Sequence, residues 1–290
     1  VTEQAQLFGP RRSLVGIVTD PPPGAPPGCP TVVVLNSGIV HRVGANRMTV
    51  ALARALASRG HRVIRFDLSG IGDSPPRPDA LSPVEAAMAD IREVLDTLEE
   101  SRGVRRVVLA GLCSGADAAL LYAGGDRRVV GVALLDPSMP RTRRHRYLHY
   151  RGRLLSGTSW LNVLRGRNAF LRELFGRTSR AAGGPPQPSL QDPEVLRFLS
   201  GKYQAALDAD VRFLAVLTGE RSYYREHLLD AFPSVHFGDR LRLEHFRSAD
   251  HMFSASDDRE RLIRLLAEWA GATPFGPGPS ASIPALQQVS

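Results

Sequence analysis

The 290-residue sequence predicts an α/β fold: a mostly parallel central sheet with helices on both faces and a helical lid insertion. Three observations carry that prediction. Short all-apolar runs recur along the chain, as in strands buried on both faces. Segments of helical periodicity separate them, the order that a parallel sheet requires. The alternation then breaks between about Pro137 and Asp210, where an insertion belongs.

In chain order, Leu14–Thr19 reads as a strand, and Asp20–Pro30 is turn chemistry rich in proline and glycine. Thr31–Leu35 is the first all-apolar strand. Arg47–Arg59 has helical character and closes on Gly60, a residue suited to the left-handed position after a helix. Val63–Leu68 resumes the sheet. Ser82-Pro83-Val84-Glu85 is a helix start, with a capping serine, proline at the first turn and glutamate three residues on. Behind it Val84, Met88, Ile91, Leu95 and Leu98 share one helical face. Val107–Leu112, Val129–Leu135, Phe213–Leu217 and Leu241–Phe246 are further strands, and a last helix covers about Asp258–Ala270. The expected organisation is a core of residues 1–137 and 211–270, a lid over 138–210, and a Gly/Pro/Ser/Ala-rich disordered tail over 271–290.

Composition narrows the class. Hydrophobic residues make up 43% and charged residues 23% of the chain, which suits a globular domain. No run approaches a membrane span and Val1-Thr-Glu-Gln is no signal peptide, so a cytoplasmic location is expected. Two cysteines, Cys29 and Cys113, argue against a disulfide framework and against a zinc site; no cofactor or metal is implied. The net charge of +8 comes from arginines with a single lysine. No nucleic-acid motif accompanies it, so an acidic or carrier-bound substrate is the expected use of the excess. The basic cluster over residues 141–153 reads as a solvated face, or alternatively as a docking face for such a carrier.

The chemistry centres on Gly111-Leu-Cys113-Ser-Gly115, between the strand Val107–Leu112 and a helix-like Ala116–Tyr122. Strand, Gly-x-nucleophile-x-Gly, helix resembles the nucleophile elbow of the α/β-hydrolase superfamily, with cysteine where serine is usual. The flanking glycines leave room for a sharp turn, and the helix start favours negative charge at the sulfur. A buried structural cysteine is the plainer alternative. In that fold a histidine follows the last strand, and Ser248-Ala-Asp-His251 occupies the place. The acid that orients it is open between Glu220, one residue early in the loop after Phe213–Leu217, and Asp136, at the end of Val129–Leu135. Asp250, beside the histidine, points elsewhere in most geometries. The oxyanion hole is expected from the amide of Ser114 and those of Ser37, Gly38 and Ile39. His41, Arg42 and Arg47 on the same loop are candidates for gripping an anionic substrate group, or else for anchoring the loop. Asp67–Ser74, with Gly70 and Gly72 in a turn, lacks a following helix start and reads as structural.

The resemblance extends over Leu14–Ala270. Asn36–Arg47, Phe66–Ser74 and Gly111–Gly115 are similar to the exosortase-associated hydrolase branch. Cysteine-elbow relatives include thioesterases and dienelactone-type hydrolases, and similar enzymes of polyketide and tetronate pathways eliminate acetate. The resemblance implies ester or thioester processing through Cys113 and His251. A lyase that expels a carboxylate from an acylated intermediate is the alternative, and a non-catalytic binding protein of the same fold is a third reading.

Overall fold

The computed structural model describes residues 1–25, 28–140, 142–144, 190, 192–219, 224–272 and 275. Eight strands form one sheet: β1 (Thr2–Phe8), β2 (Leu14–Asp20), β3 (Thr31–Leu35), β4 (Val63–Phe66), β5 (Val107–Leu112), β6 (Val129–Leu135), β7 (Arg212–Thr218) and β8 (Leu241–Phe246). Their spatial order is β1-β2-β4-β3-β5-β6-β7-β8. From β4 to β8 every pairing is parallel; β2 runs antiparallel to both β1 and β4. The mostly parallel sheet expected from the alternation, and the α/β-hydrolase fold that the elbow resemblance implied, are observed.

Among the described residues, six α-helices accompany the sheet: α1 (Met48–Ala57), α2 (Pro83–Arg102), α3 (Ser114–Ala123), α4 (Pro193–Asp208), α5 (His227–Ala231) and α6 (Ser256–Ala272). Alternate residues of the central strands feed two cores. Val33, Leu35, Val107 and Leu109 meet Ile91, Val94, Leu95 and Leu98 of α2 together with α3 and α4. Val32, Val34, Val108 and Ala110 meet Leu52 and Leu56 of α1 and Leu262 and Leu266 of α6. Each such side chain contributes about 1.5–3 kcal/mol by leaving water, which explains why the strands carry almost no polar residues.

The helix starts follow their sequence signals. At α2, the Ser82 side chain accepts from the Glu85 backbone N–H, and the Glu85 carboxylate accepts from that of Ser82. Of the predicted face, Val84 is 55% exposed, because the first turn of α2 stands clear of the core. α1 begins one residue later than expected, after a short 3-10 turn over Ala45–Arg47. Gly60 takes the left-handed turn behind it, at φ 98°.

Two features were not anticipated. β1 has mostly exposed side chains and no apolar alternation, so nothing in its composition marked it; its order comes from pairing with β2. α4 lies inside the stretch assigned to the lid, yet it belongs to the core. Tyr203, Ala206 and Leu207 are buried beside α3, and a Cβ on Gly124 would sit 2.9 Å from the Ala205 backbone. Most of the remaining lid stretch (145–189) and of the tail lies outside the described residues, as does most of the basic cluster. Among the described residues, no helix is long and apolar enough to cross a membrane.

His61, fully buried ahead of β4, bonds through Nδ1 to the Pro30 carbonyl oxygen at 2.9 Å. Burial lowers its pKa from the usual 6.5, so the fold holds the neutral imidazole. The unfolded chain therefore binds the proton more readily than the folded one. The stabilisation is complete above pH 6.5 and is lost as pH falls through the lowered folded value. Urea denaturation between pH 7.5 and 5 should show stability falling toward acid, and the fall should be shallower in His61→Gln.

Candidate active site

The strand order reverses between β3 and β5, whose ends are in register at Leu35 and Gly111. The loops leaving these two carboxyl ends diverge, opening the crevice where ligands bind in open α/β sheets. Cys113 sits there, between β5 and α3, at φ 55° and ψ −119°. That conformation costs a non-glycine residue about 1–3 kcal/mol. The turn is possible because α3 lies almost on top of β5. A Cβ on Gly111 would fall 2.2 Å from the Gly115 carbonyl carbon, and one on Gly115 would fall 2.4 Å from the Asn36 carbonyl oxygen. The Cys113 amide donates to the Leu135 carbonyl at 2.9 Å, which ties the elbow to the end of β6. Cys113 is half-buried and packs with Met252 against the apolar core of the α1/α6 face.

The residue after Leu135 is Asp136, held at φ 48° with its amide on the Val216 carbonyl at 2.8 Å. Its carboxylate is fully buried. It accepts from the Thr218 amide at 3.1 Å and the Thr218 hydroxyl at 2.9 Å. It also bonds to Nδ1 of His251, whose side chain is half-buried in the loop after β8. The carboxylate thus takes hydrogen bonds from two other segments. With Nδ1–H donating to it, the imidazole presents Nε2 as the basic nitrogen. Between the two candidate acids, the hydrogen bond goes to Asp136; Glu220 lies outside the described residues.

Asp250 holds the loop through backbone hydrogen bonds. Its carboxylate accepts from the amides of Ser254 at 2.8 Å and Met252 at 3.1 Å. Hydrogen bonds from the Ser254 backbone and side chain hold it below the usual carboxylate pKa. Buried Phe253, at φ 49°, completes this turn.

On the other wall, the loop after β3 is a tight turn in which the Val40 amide donates to the Ser37 carbonyl at 3.0 Å. Gly38, at φ 54°, aims its amide at Ser114, donating to Oγ at 2.7 Å. Ile39 is 92% exposed and projects away from the core. Of the expected loop donors, Gly38 is the one joined to the elbow.

Buried polar groups hold this loop in place. Asn36 donates to the Val40 carbonyl at 2.9 Å and to Asp67 at 3.3 Å, and accepts from the Leu68 amide at 2.7 Å. Fully buried Asp67 also accepts from the amides of Arg42 at 2.6 Å and Asp73 at 3.1 Å, and pairs with the Arg42 guanidinium. The second guanidinium nitrogen of Arg42 meets Asp73 at 2.6 Å. Both terminal guanidinium nitrogens meet carboxylates, so Arg42 anchors the loop. His41 is exposed and accepts through Nδ1 from the Val43 amide at 3.4 Å. Arg47 caps α1 in a left-handed conformation with its side chain in solvent. Sequence reasoning missed Asn36 and Thr218; it read Asp67, at the end of its strand, as structural, without its partners. Their signal, a polar residue ending an otherwise apolar strand, was visible but ambiguous.

Behind the elbow, Asp117 of α3 accepts from the amide and hydroxyl of Ser138 at 2.9 and 2.7 Å, tying the root of the insertion to the helix. Met252, His41 and Ser37 also line a small apolar cavity that reaches Gly111 and Leu135. Among the described residues, no group of three or more His, Cys, Asp or Glu side chains is placed to hold a metal ion.

A strained residue on a strand–helix turn, a buried carboxylate on a histidine and a backbone loop opposite them define a hydrolase-type site. Residues 32–279 match the Alpha/beta hydrolase family, and the chain belongs to it. Among solved structures it is similar to XC6422 of Xanthomonas campestris, described as an a/b serine hydrolase without lid (17% identity, TM-score 0.54, 94% of this chain and 96% of that one). It is also similar to dienelactone hydrolase of Anabaena variabilis (14%, 0.58, 92% and 96%). A Pyrococcus furiosus esterase is a third (14%, 0.58, 93% and 91%). At these identities the likeness is one of fold. No curated protein matches the chain.

Removing the Asp67 carboxylate leaves the Arg42 guanidinium, 17% exposed, without its buried partner. Breaking a pair of this kind costs about 3 kcal/mol. Asp67→Ala should lower the urea midpoint accordingly without changing the slope, whereas Arg47→Ala, at an exposed position, should leave it within about 0.5 kcal/mol of wild type.

Proposed function

We propose that this protein cleaves or transfers acyl groups of esters or thioesters through a Cys113 thioester. The reading rests on one observation above the others: Asp136, locked by Thr218, hydrogen-bonds His251 at the strand ends beside the strained Cys113. A carboxylate so placed fixes the imidazole tautomer and stabilises the imidazolium that forms in the reaction. Burial of the carboxylate and shared hydrogen bonds leave it little freedom to swing away.

In this mechanism His251 Nε2 takes the Cys113 proton and the sulfur adds to the acyl carbon. The carbonyl electron pair moves onto oxygen, which is held near the start of α3. Collapse of the adduct expels an alkoxide or thiolate, which takes the proton from His251. Water, or an acceptor alcohol or thiol, then releases the acyl group with His251 again serving as base. The Ser114 amide, first in α3 and directly after Cys113, is assigned to that oxygen as its backbone donor. His41 and Arg47 are assigned to an anionic portion of the substrate, such as a carrier's phosphate-bearing arm; Arg42 is not.

Incubation with 4-nitrophenyl esters and acyl thioesters of two to eight carbons, followed by intact-mass measurement, tests the proposal. Wild type should gain one acyl group, and Cys113→Ala none. His251→Ala and Asp136→Asn should slow acylation by on the order of 10²–10⁴-fold. Turnover that survives Cys113→Ala but dies in His251→Ala would overturn the acyl-enzyme reading in favour of elimination. Failure of every ester and thioester to label or turn over would point to a binding protein.

A further inference from the structure

We infer that the Ser114 hydroxyl is itself an oxyanion donor, so that the hole is built from a side chain as well as from backbone. The inference rests on the acyl-enzyme reading above and adds a residue to it.

Ser114 directly follows Cys113 and opens α3, so its amide and its hydroxyl both lie at the helix N-terminus next to the nucleophile. Its Oγ already accepts a hydrogen bond, at 2.7 Å, from the Gly38 amide. That bond places the Gly38 N–H on a hydroxyl oxygen and not on open space. It also directs the hydroxyl proton away from Gly38. The contact is exposed, and it uses Oγ as an acceptor, which leaves the O–H free to donate elsewhere. Ser114 is exposed on the crevice side, between the β3 loop and the elbow, where the proposed reaction brings the substrate carbonyl oxygen.

Two physical consequences follow. An N–H donating into a hydroxyl oxygen polarises it and strengthens the O–H as a donor, so Gly38 acts on the substrate through Ser114. The arrangement is also set in advance. Gly38 is carried on a loop fixed by Asn36 and Asp67, and Ser114 on a helix that cannot move relative to β5 without breaking the Gly111–Gly115 contact. Donors fixed before the reaction need no reorganisation as charge develops.

In the reaction step, the Cys113 Sγ–carbon bond forms and the carbonyl π pair moves to oxygen. That oxygen then receives hydrogen bonds from the Ser114 N–H and O–H. Collapse restores the C=O bond and breaks the bond to the leaving group, which takes its proton from His251. Ser114 donates throughout and loses no proton.

The opposite arrangement makes a different prediction. If the hydroxyl only blocks the Gly38 amide, its removal frees a donor and speeds the reaction. Single-turnover acylation by 4-nitrophenyl acetate and butyrate, followed by released nitrophenol and by intact mass, separates the two. Ser114→Ala should lower the acylation rate constant about 100-fold with KM little changed. Ser114→Thr, which keeps the hydroxyl, should recover most of that loss. Alkylation of Cys113 by iodoacetamide, which forms no oxyanion, should proceed in Ser114→Ala at the wild-type rate.

Acylation of Ser114→Ala as fast as wild type or faster would overturn the inference. So would a parallel fall in alkylation, which would place the effect at the thiol. An acyl adduct that persists in Cys113→Ala, or no adduct on wild type, would sink the acyl-enzyme reading itself. Those results are distinct from a Ser114→Ala protein that acylates normally on an intact Cys113.

Discussion

The near-contact of Gly111 with Gly115 is the constraint on which the rest of the molecule depends. With no side chain at either position, α3 starts directly over the end of β5, and the chain reverses within the single residue between strand and helix. Cys113 absorbs the reversal in its backbone. The same closeness brings Gly115 against Asn36, so that the loop after β3 and the elbow share one wall of the crevice. The strain at Cys113 persists because both sides of the turn are over-determined by packing. β5 is central in the sheet, and Ala116 and Ala119 of α3 are buried.

Around that turn, the parallel sheet acts as a register device. Cys113, Asp136 and Thr218 lie at the carboxyl ends of three adjacent strands, β5, β6 and β7, and His251 follows β8. Backbone bonds from Cys113 to Leu135 and from Asp136 to Val216 set the relative heights of these ends. A fully buried carboxylate would be costly if left unpaired, and here both oxygens find donors. The histidine is then placed by the carboxylate and by its own loop, which Asp250 closes through two amides.

Polar burial also shapes the opposite wall. Asp67 sits among Asn36, Arg42 and the Asp73 amide, partners that its sequence reading as a structural strand end did not reveal. The sequence left Arg42 open between gripping a substrate and anchoring its loop, because a basic residue on a glycine-containing loop carries no mark of its partner. Its true partners are 25 and 31 residues away. For the same reason α4 was read as part of an insertion. Its helical signal was present, but only the close approach to Gly124 shows that it packs on the core.

The sequence by itself determined the α/β class, the central strands and the capped helix α2, because burial on two faces and the capping groups are local patterns. It also placed Cys113 at the elbow and His251 after the last strand. Tertiary structure alone decided which carboxylate meets the imidazole, since Asp136 and His251 are 115 residues apart and strand order brings them together. It decided too that Arg42 is an anchor, that Thr218 holds the acid, and that the Gly38 amide ends on the Ser114 hydroxyl. Hydrogen bonds and ion pairs between distant segments depend on distance and direction in space, and a linear pattern of residues carries neither.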